Sequence, residues 1–245
     1  SALFGFVLGL PALKLEGPYL AIATLGFGMA ITQIIGRLKL FGGHMGLSTP
    51  TITIGPVKIS SDKELYFLIM IITVIMVIAA RNILKTRVGR AFVAIRDCDI
   101  AAETMGVNLT YYKTLAFAVS AFYAGIAGGL MAFVLGFINP GSFNFILSIL
   151  FLAMVVVGGV GSILGSIMGG VVISFLNLKL SAIQDAPLLG DLLKTISHKW
   201  MSISGLPNVS SIVFGLILIL IVVFEPLGLY GFWIRTKKYW KTWPF

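Results

Sequence analysis

The amino-acid sequence predicts an all-α, polytopic transmembrane helical bundle, and three observations carry that prediction. Of the 245 residues, 58% are hydrophobic and only 11% charged, far from the balance of soluble domains. No Asp, Glu, Lys, Arg or His occurs from Thr114 to Leu178, a run of 65 residues; a helix of about 20 residues crosses about 30 Å of hydrocarbon, so three crossings fit. Backbone amides in lipid must bond within the protein, which leaves helices or closed barrels. The long apolar runs lack the polar alternation of barrel strands.

Uncharged stretches bounded by charges set the elements in order. Residues 1–13 form a partial span, 17–36 the first full one and 65–80 the second. Within 114–178, Asn139-Pro140-Gly141-Ser142 and Gly158-Gly159-Val160-Gly161 are turn chemistry that divides three further spans. Residues 200–224 bring the count to about six full spans and a fragment, with 1–245 expected to form a single transmembrane domain. Between spans, 38–64 reads as a loop rich in Gly, Ser, Thr and Pro, and DAPLLGDLLKTISHKW at 185–200 suits a short interfacial helix.

Basic residues set the orientation. Arg81, Lys85, Arg87, Arg90 and Arg96 cluster after the second span, and Arg235, Lys237, Lys238 and Lys241 lie in the basic tail at about 235–245. Both regions are expected in the cytoplasm under the positive-inside rule, and an even number of crossings between them agrees. The same count puts 38–64 and the turn at Asn139 outside. Trp233, Tyr239, Trp240 and Trp243 fit an aromatic belt at the inner interface.

Composition and motifs also exclude function classes. Lys and Arg outnumber Asp and Glu 18 to 9, yet they gather at span ends, where they meet anionic headgroups, and form no basic stripe that would bind nucleic acid. Cys98 is the sole cysteine, so no internal disulfide or cysteine metal cluster forms. His44 and His198 share no helical face, and Asp97, Asp99 and Glu103 lack calcium-loop spacing; no metal site is expected. No G-x-x-x-x-G-K-[ST] occurs, so the chain holds no ATP by a phosphate loop. No nucleophile with a partnered base appears either, which argues against an enzyme.

Two segments remain as carriers of function. Read as a helix, GRAFVAIRDCDIAAETMGVN at 89–108 places Ala91, Ala94, Ile95, Cys98, Ala101, Ala102 and Met105 on one apolar stripe, opposite Arg96, Asp99 and Glu103. Gly106 supplies a left-handed cap after about 16 residues, or about 24 Å, too short to span a membrane. A stripe built of Ala and Cys suits close packing against protein, with Cys98 buried, and a solvated loop helix is the alternative. The other segments are glycine strips, Ala121, Gly125 and Gly129 on one span and Gly161, Gly165 and Gly169 on another, which serve either helix packing or a passage lined by small residues. Titratable groups are absent from the middle of the spans, Glu16 and Glu225 falling at interfaces. The polar candidates for a substrate path are Thr24, Thr32, Gln33, Ser120, Asn139 and Asn144, with Ser142 and Ser148 nearby.

The segment at 89–108, followed by YYKTLAFAVSAFYAGIAGGL, resembles the inner-membrane permease subunits of bacterial ABC importers for branched-chain amino acids. GLPALKLEGPYLAIATLGFG, FGGHMGLS, FLAMVVVGGVGSILGSIMGG and FEPLGLYGFW match in the same order, so the resemblance covers nearly the whole chain. It implies two homologous permease subunits, two cytoplasmic ATPase subunits that use ATP and Mg, and a periplasmic solute-binding protein, with no cofactor bound by this chain. It also implies that about 89–106 is a coupling helix seated on an ATPase, a role carried by Arg90, Arg96, Asp97, Asp99, Glu103 and Gly106. Members usually carry further spans ahead of GLPAL, so earlier spans are expected. Related permeases for urea or short amides, and an ion-coupled secondary transporter or channel, stand as alternatives.

Overall fold

The computed structural model describes residues 1–12, 18–38, 42–50, 52–54, 57–59, 61–184 and 228–242, with isolated positions at 215, 216, 219 and 223. It is an all-helical structure with four very short strands: α1 (Ala2–Ala12), α2 (Pro18–Arg37), β1 (Leu47–Ser48), β2 (Ile52–Ile54), β3 (Val57–Ile59), α3 (Asp62–Lys85), α4 (Arg87–Asp97), α5 (Asp99–Thr104), α6 (Leu109–Leu135), β4 (Phe137–Ile138), α7 (Phe145–Gly158), α8 (Ile163–Gln184) and α9 (Gly228–Thr242). The chain divides into two compact units, Ser1–Phe145 and Ile146–Phe245.

Local chemistry explains the long helices. α3 starts after Ser61 with Asp62 and Glu64 in its first turn and ends with Lys85 in its last, charges that complement the helix dipole at both ends. α6 is capped by Asn108, whose side chain accepts from Tyr111 N–H at 3.0 Å, and stops at Gly136 in a left-handed conformation (φ 68°) that lets the chain turn into β4. Among the described residues, Asp62–Lys85, Leu109–Leu135 and Pro140–Gly158 are long and apolar enough to cross a membrane, and Ile22–Arg37 and Ile163–Lys179 are shorter apolar helices. Phe67 (64%) and Ile71 (60%) on α3 stand exposed, a surface suited to hydrocarbon rather than water.

Within the first unit, α1 packs on α6 through small residues. Gly5 lies against Phe117 and Ala121, and a methyl on Gly9 would meet Thr114 at 3.2 Å. Small residues permit this close backbone approach, which is the main source of helix affinity in lipid. The 38–64 loop carries more order than expected. β1 pairs antiparallel with β4, Leu47 opposite Ile138 and Ser48 opposite Phe137, while β2 and β3 pair with Ile52 opposite Ile59. Thr49 seals the first pair to α6: its N–H donates to Gly136 O at 3.0 Å and its hydroxyl to Ala132 O at 3.3 Å.

Within the second unit, α7 and α8 meet through the glycine turn between them. Gly159 and Gly161 take positive φ, 112° and 89°, and Ser162 starts α8 by accepting from Gly165 N–H at 2.9 Å. Gly165 and Gly169 lie against Gly158, beside the wholly buried Val157 and Ile173. Gly228 (φ 65°), at the start of α9, stands against Gly159 and Val157.

Three expectations change. Residues 89–106 are not one helix: Cys98 is extended (φ −163°, ψ 109°) and separates α4 from α5. Asp97 and Asp99 flank it; both have low helix propensity, and Asp99 is better placed in the first turn of a new helix. The stripe is therefore cut, with Ala91 and Ala102 buried but Ala94, Ala101 and Met105 exposed. Cys98 itself is exposed rather than buried. Gly161 belongs to the turn, not to a strip along α8, because its positive φ is outside the helical region. The span at 200–224, the helix at 185–200, Glu16, Glu225, His198 and Trp243 lie outside the described residues.

Candidate functional site

Two places gather the residues singled out above. The first is the α4–α5 elbow. Thr86 closes α3 and opens α4: its hydroxyl donates to Ile83 O at 2.7 Å and accepts from Gly89 N–H at 3.5 Å. Gly89 is buried against the backbone of Ile83 and Leu84, where no side chain fits. Cys98 N–H donates to Ala94 O at 3.0 Å, and its own carbonyl accepts from Ala102 N–H at 3.1 Å, so the break leaves neither group orphaned. Gly106 (φ 84°) ends α5, and Val107 N–H returns to Ala102 O at 3.0 Å.

Two contacts seat the elbow on the start of α6. Lys113 donates to Asp99 Oδ2 at 2.5 Å across fourteen positions of sequence, and Phe92 meets Tyr112 edge to face, ring centroids 6.4 Å apart. The six coupling candidates then separate. Arg96 binds Asp97 through two nitrogens, Nε at 3.0 Å and Nη2 at 2.8 Å, so those two charges largely cancel. Asp99 is spent on Lys113, and Gly106 shapes the turn. Of the six candidates, Arg90 and Glu103 keep an exposed charge without an ion-pair partner among the described residues.

The second place is a cavity of about 560 Å³ in the first unit. Ile31, Thr32 and Ile35 of α2 form one wall, residues 47–50 a second, and Ile138, Asn139, Pro140 and Phe143 a third. Two of the six path candidates, Thr32 and Asn139, thus come together. The other four do not line it: Thr24 donates to Leu20 O at 3.0 Å, Ser120 to Phe117 O at 3.0 Å, and Gln33 and Asn144 are exposed. The glycines of the two strips do not line it either, and their surroundings differ. Gly125 stands beside Ser1, Gly165 and Gly169 beside Gly158, and Gly129 has nothing within 4 Å among the described residues. Lys113, Phe92, Tyr112 and the wall at 47–50 escape sequence reading, since each acts across a turn or through a two-residue strand with no periodic signature. Among the described residues, no three His, Cys, Asp or Glu gather as metal ligands.

Several apolar spans joined by a charged elbow define a multi-pass membrane protein of the permease class. The model of the family "Branched-chain amino acid transport system / permease component" matches residues 1–222, and the chain belongs to that family. The high-affinity branched-chain amino acid transport system permease protein LivM of Salmonella typhimurium is 31% identical over 254 aligned positions, covering 94% of this chain and 54% of that protein. LivM of Escherichia coli is 30% identical with the same coverage. A probable branched-chain amino acid transport permease protein LivM of Methanocaldococcus jannaschii is 25% identical, over 94% of this chain and 66% of its own length. The chain spans about half the length of the first two relatives. No solved structure matches it.

Proposed function

We propose that this chain is the membrane-spanning part of a permease subunit in an ATP-driven importer of the cytoplasmic membrane, passing branched-chain amino acids delivered by a periplasmic binding protein. The observation that carries the reading is the elbow: a short pair of helices, anchored to α6 by Asp99–Lys113 and Phe92–Tyr112, that leaves Arg90 and Glu103 exposed and unpaired among the described residues. The solute class is supported by the names of the relatives.

In this reading the elbow meets a cytoplasmic ATPase, and hydrolysis of ATP with Mg takes place there rather than in this chain. Closure of two ATPases displaces the elbow. Its anchors pass the displacement to α6, and the spans of this subunit and a homologous partner rock to expose the passage alternately to either side. Selectivity is shared with the binding protein.

The test is reconstitution of the full permease with its ATPases and binding protein in vesicles. Reversing both free charges, Arg90→Glu with Glu103→Arg, is expected to cut ATPase co-purification and leucine uptake at least about tenfold, as removal of complementary interfacial charges does. Uptake that follows an ion gradient without any ATPase would overturn the reading.

A further inference from the structure

We propose that the cavity between α2, the β1–β4 ribbon and the 139–143 turn binds the branched aliphatic side chain of the solute, with Ser48 and Asn139 donating to its carboxylate. This deepens the transport reading above and rests on it.

The lining is mostly Ile31, Ile35, Leu47, Pro50, Ile138 and Phe143. Most of the polar groups among its walls are already engaged. Thr32 donates to Gly28 O at 2.9 Å and Thr49 to Ala132 O at 3.3 Å. Asn139 Oδ1 accepts from Ser142 N–H at 2.7 Å and from its hydroxyl at 3.0 Å. Among the described residues, no charged one lines the space. A polar side chain entering it would lose water without compensation, while an aliphatic one would gain by leaving water.

Two donors stay free. The Ser48 hydroxyl and the Asn139 amide nitrogen have no hydrogen-bond partner among the described residues. An apolar chamber with two uncommitted donors matches a small molecule that is aliphatic at one end and bears a carboxylate at the other. A lipid acyl chain has no use for those donors, and walls of turns and ribbon are backbone that membrane proteins keep for cavities rather than for lipid contact. The volume of about 560 Å³ falls in the range of small-molecule sites.

The walls are also preformed. Gly46 (φ 78°) passes so close to the opposite strand that a methyl there would stand 2.9 Å from Asn139 Cβ, and Thr49 holds the ribbon to α6.

The experiment is photolabelling of the full permease in native membranes with photoleucine, a leucine carrying a side-chain diazirine, followed by peptide mapping. Label is expected in peptides covering 31–35, 47–50 or 138–143, reduced at least about tenfold by excess leucine and unaffected by glutamate or serine, given how strongly such pockets discriminate. Asn139→Asp keeps the oxygen that Ser142 needs while replacing the donor, and is expected to weaken labelling about tenfold; an unlabelled native protein, label that leucine does not displace, or equal labelling of the same peptides by a diazirine phospholipid would overturn the proposal. Labelling needs no ATP, so the two readings fail separately. Photoleucine in the cavity with gradient-driven uptake would sink the importer alone, and ATP-driven uptake with label elsewhere would sink the cavity alone.

Discussion

Lys113 reaches Asp99 across a turn that contains Gly106, and this one ion pair joins the elbow to a long span. Its groups are 34% and 46% exposed, so its worth to global stability is under about 1 kcal/mol, as for other solvent-screened pairs. Its effect is local. Removing the carboxylate by Asp99→Ala frees Lys113 and takes an acid from the first turn of α5, where it favours the helix dipole. The expected outcome is a melting temperature within a few degrees of the parent, with amide exchange in residues 99–104 faster by about threefold to tenfold, as loss of up to about 1 kcal/mol allows. Unchanged exchange would show that Phe92–Tyr112 and the Ala102 burial hold the elbow alone.

At the scale of elements, glycines differ sharply in what they do, although they look alike in sequence. A methyl on Gly169 would stand 2.7 Å from Gly158 N and 2.8 Å from its Cα, whereas Gly170, one residue on, has nothing within 4 Å among the described residues. Gly169→Ala must push α8 off α7 and is expected to destabilise by about 1–3 kcal/mol, the usual cost of overpacking. Gly170→Ala gains helix propensity of up to about 1 kcal/mol with no clash. Thermal denaturation of the two variants in detergent should therefore move in opposite directions; a shared direction would disprove the α7–α8 contact. Such a contrast marks what sequence reading reaches. Charge boundaries located α3, because desolvation forbids charges in spans, and Asn-Pro-Gly and Gly-rich turn motifs located the breaks at 139–142 and 158–161. They could not tell Gly161, a turn residue, from Gly165 and Gly169, since a four-residue spacing continues across a helix start without changing. The break at Cys98 was hidden for a related reason: an apolar period records which residues could share a face, not whether Asp97 and Asp99 let the helix continue. The cavity was half legible, Thr32 and Asn139 being chosen as polar groups in apolar runs, while Ser48 and the ribbon that carries it depend on pairing over 90 residues of chain separation, Leu47 with Ile138.

For the whole molecule, the exposed Cys98 makes the side of the membrane that the elbow faces directly measurable. The proposed orientation rests on Arg81, Lys85, Arg87, Arg90 and Arg96 lying in the cytoplasm. Cys98 is the only cysteine of the 245-residue sequence, sits at the break between α4 and α5, and is exposed, so a thiol reagent can reach it without unfolding anything. A membrane-impermeant maleimide should modify the Cys98 peptide in inside-out vesicles and leave it unmodified in right-side-out ones. The reverse pattern would invert every loop, moving the cavity to the cytoplasmic side and removing the elbow from any ATPase. Adding purified ATPase to the inside-out vesicles should then slow modification by about tenfold, because a partner gripping Arg90 and Glu103 on α4 and α5 must cover the thiol between them, and buried interfacial positions exclude solvent. Cys98 modified at one rate with and without ATPase would leave the orientation intact and place the docking surface elsewhere. Sidedness and coupling are thus separable in one preparation, at a residue that contributes to neither the anchors nor the cavity.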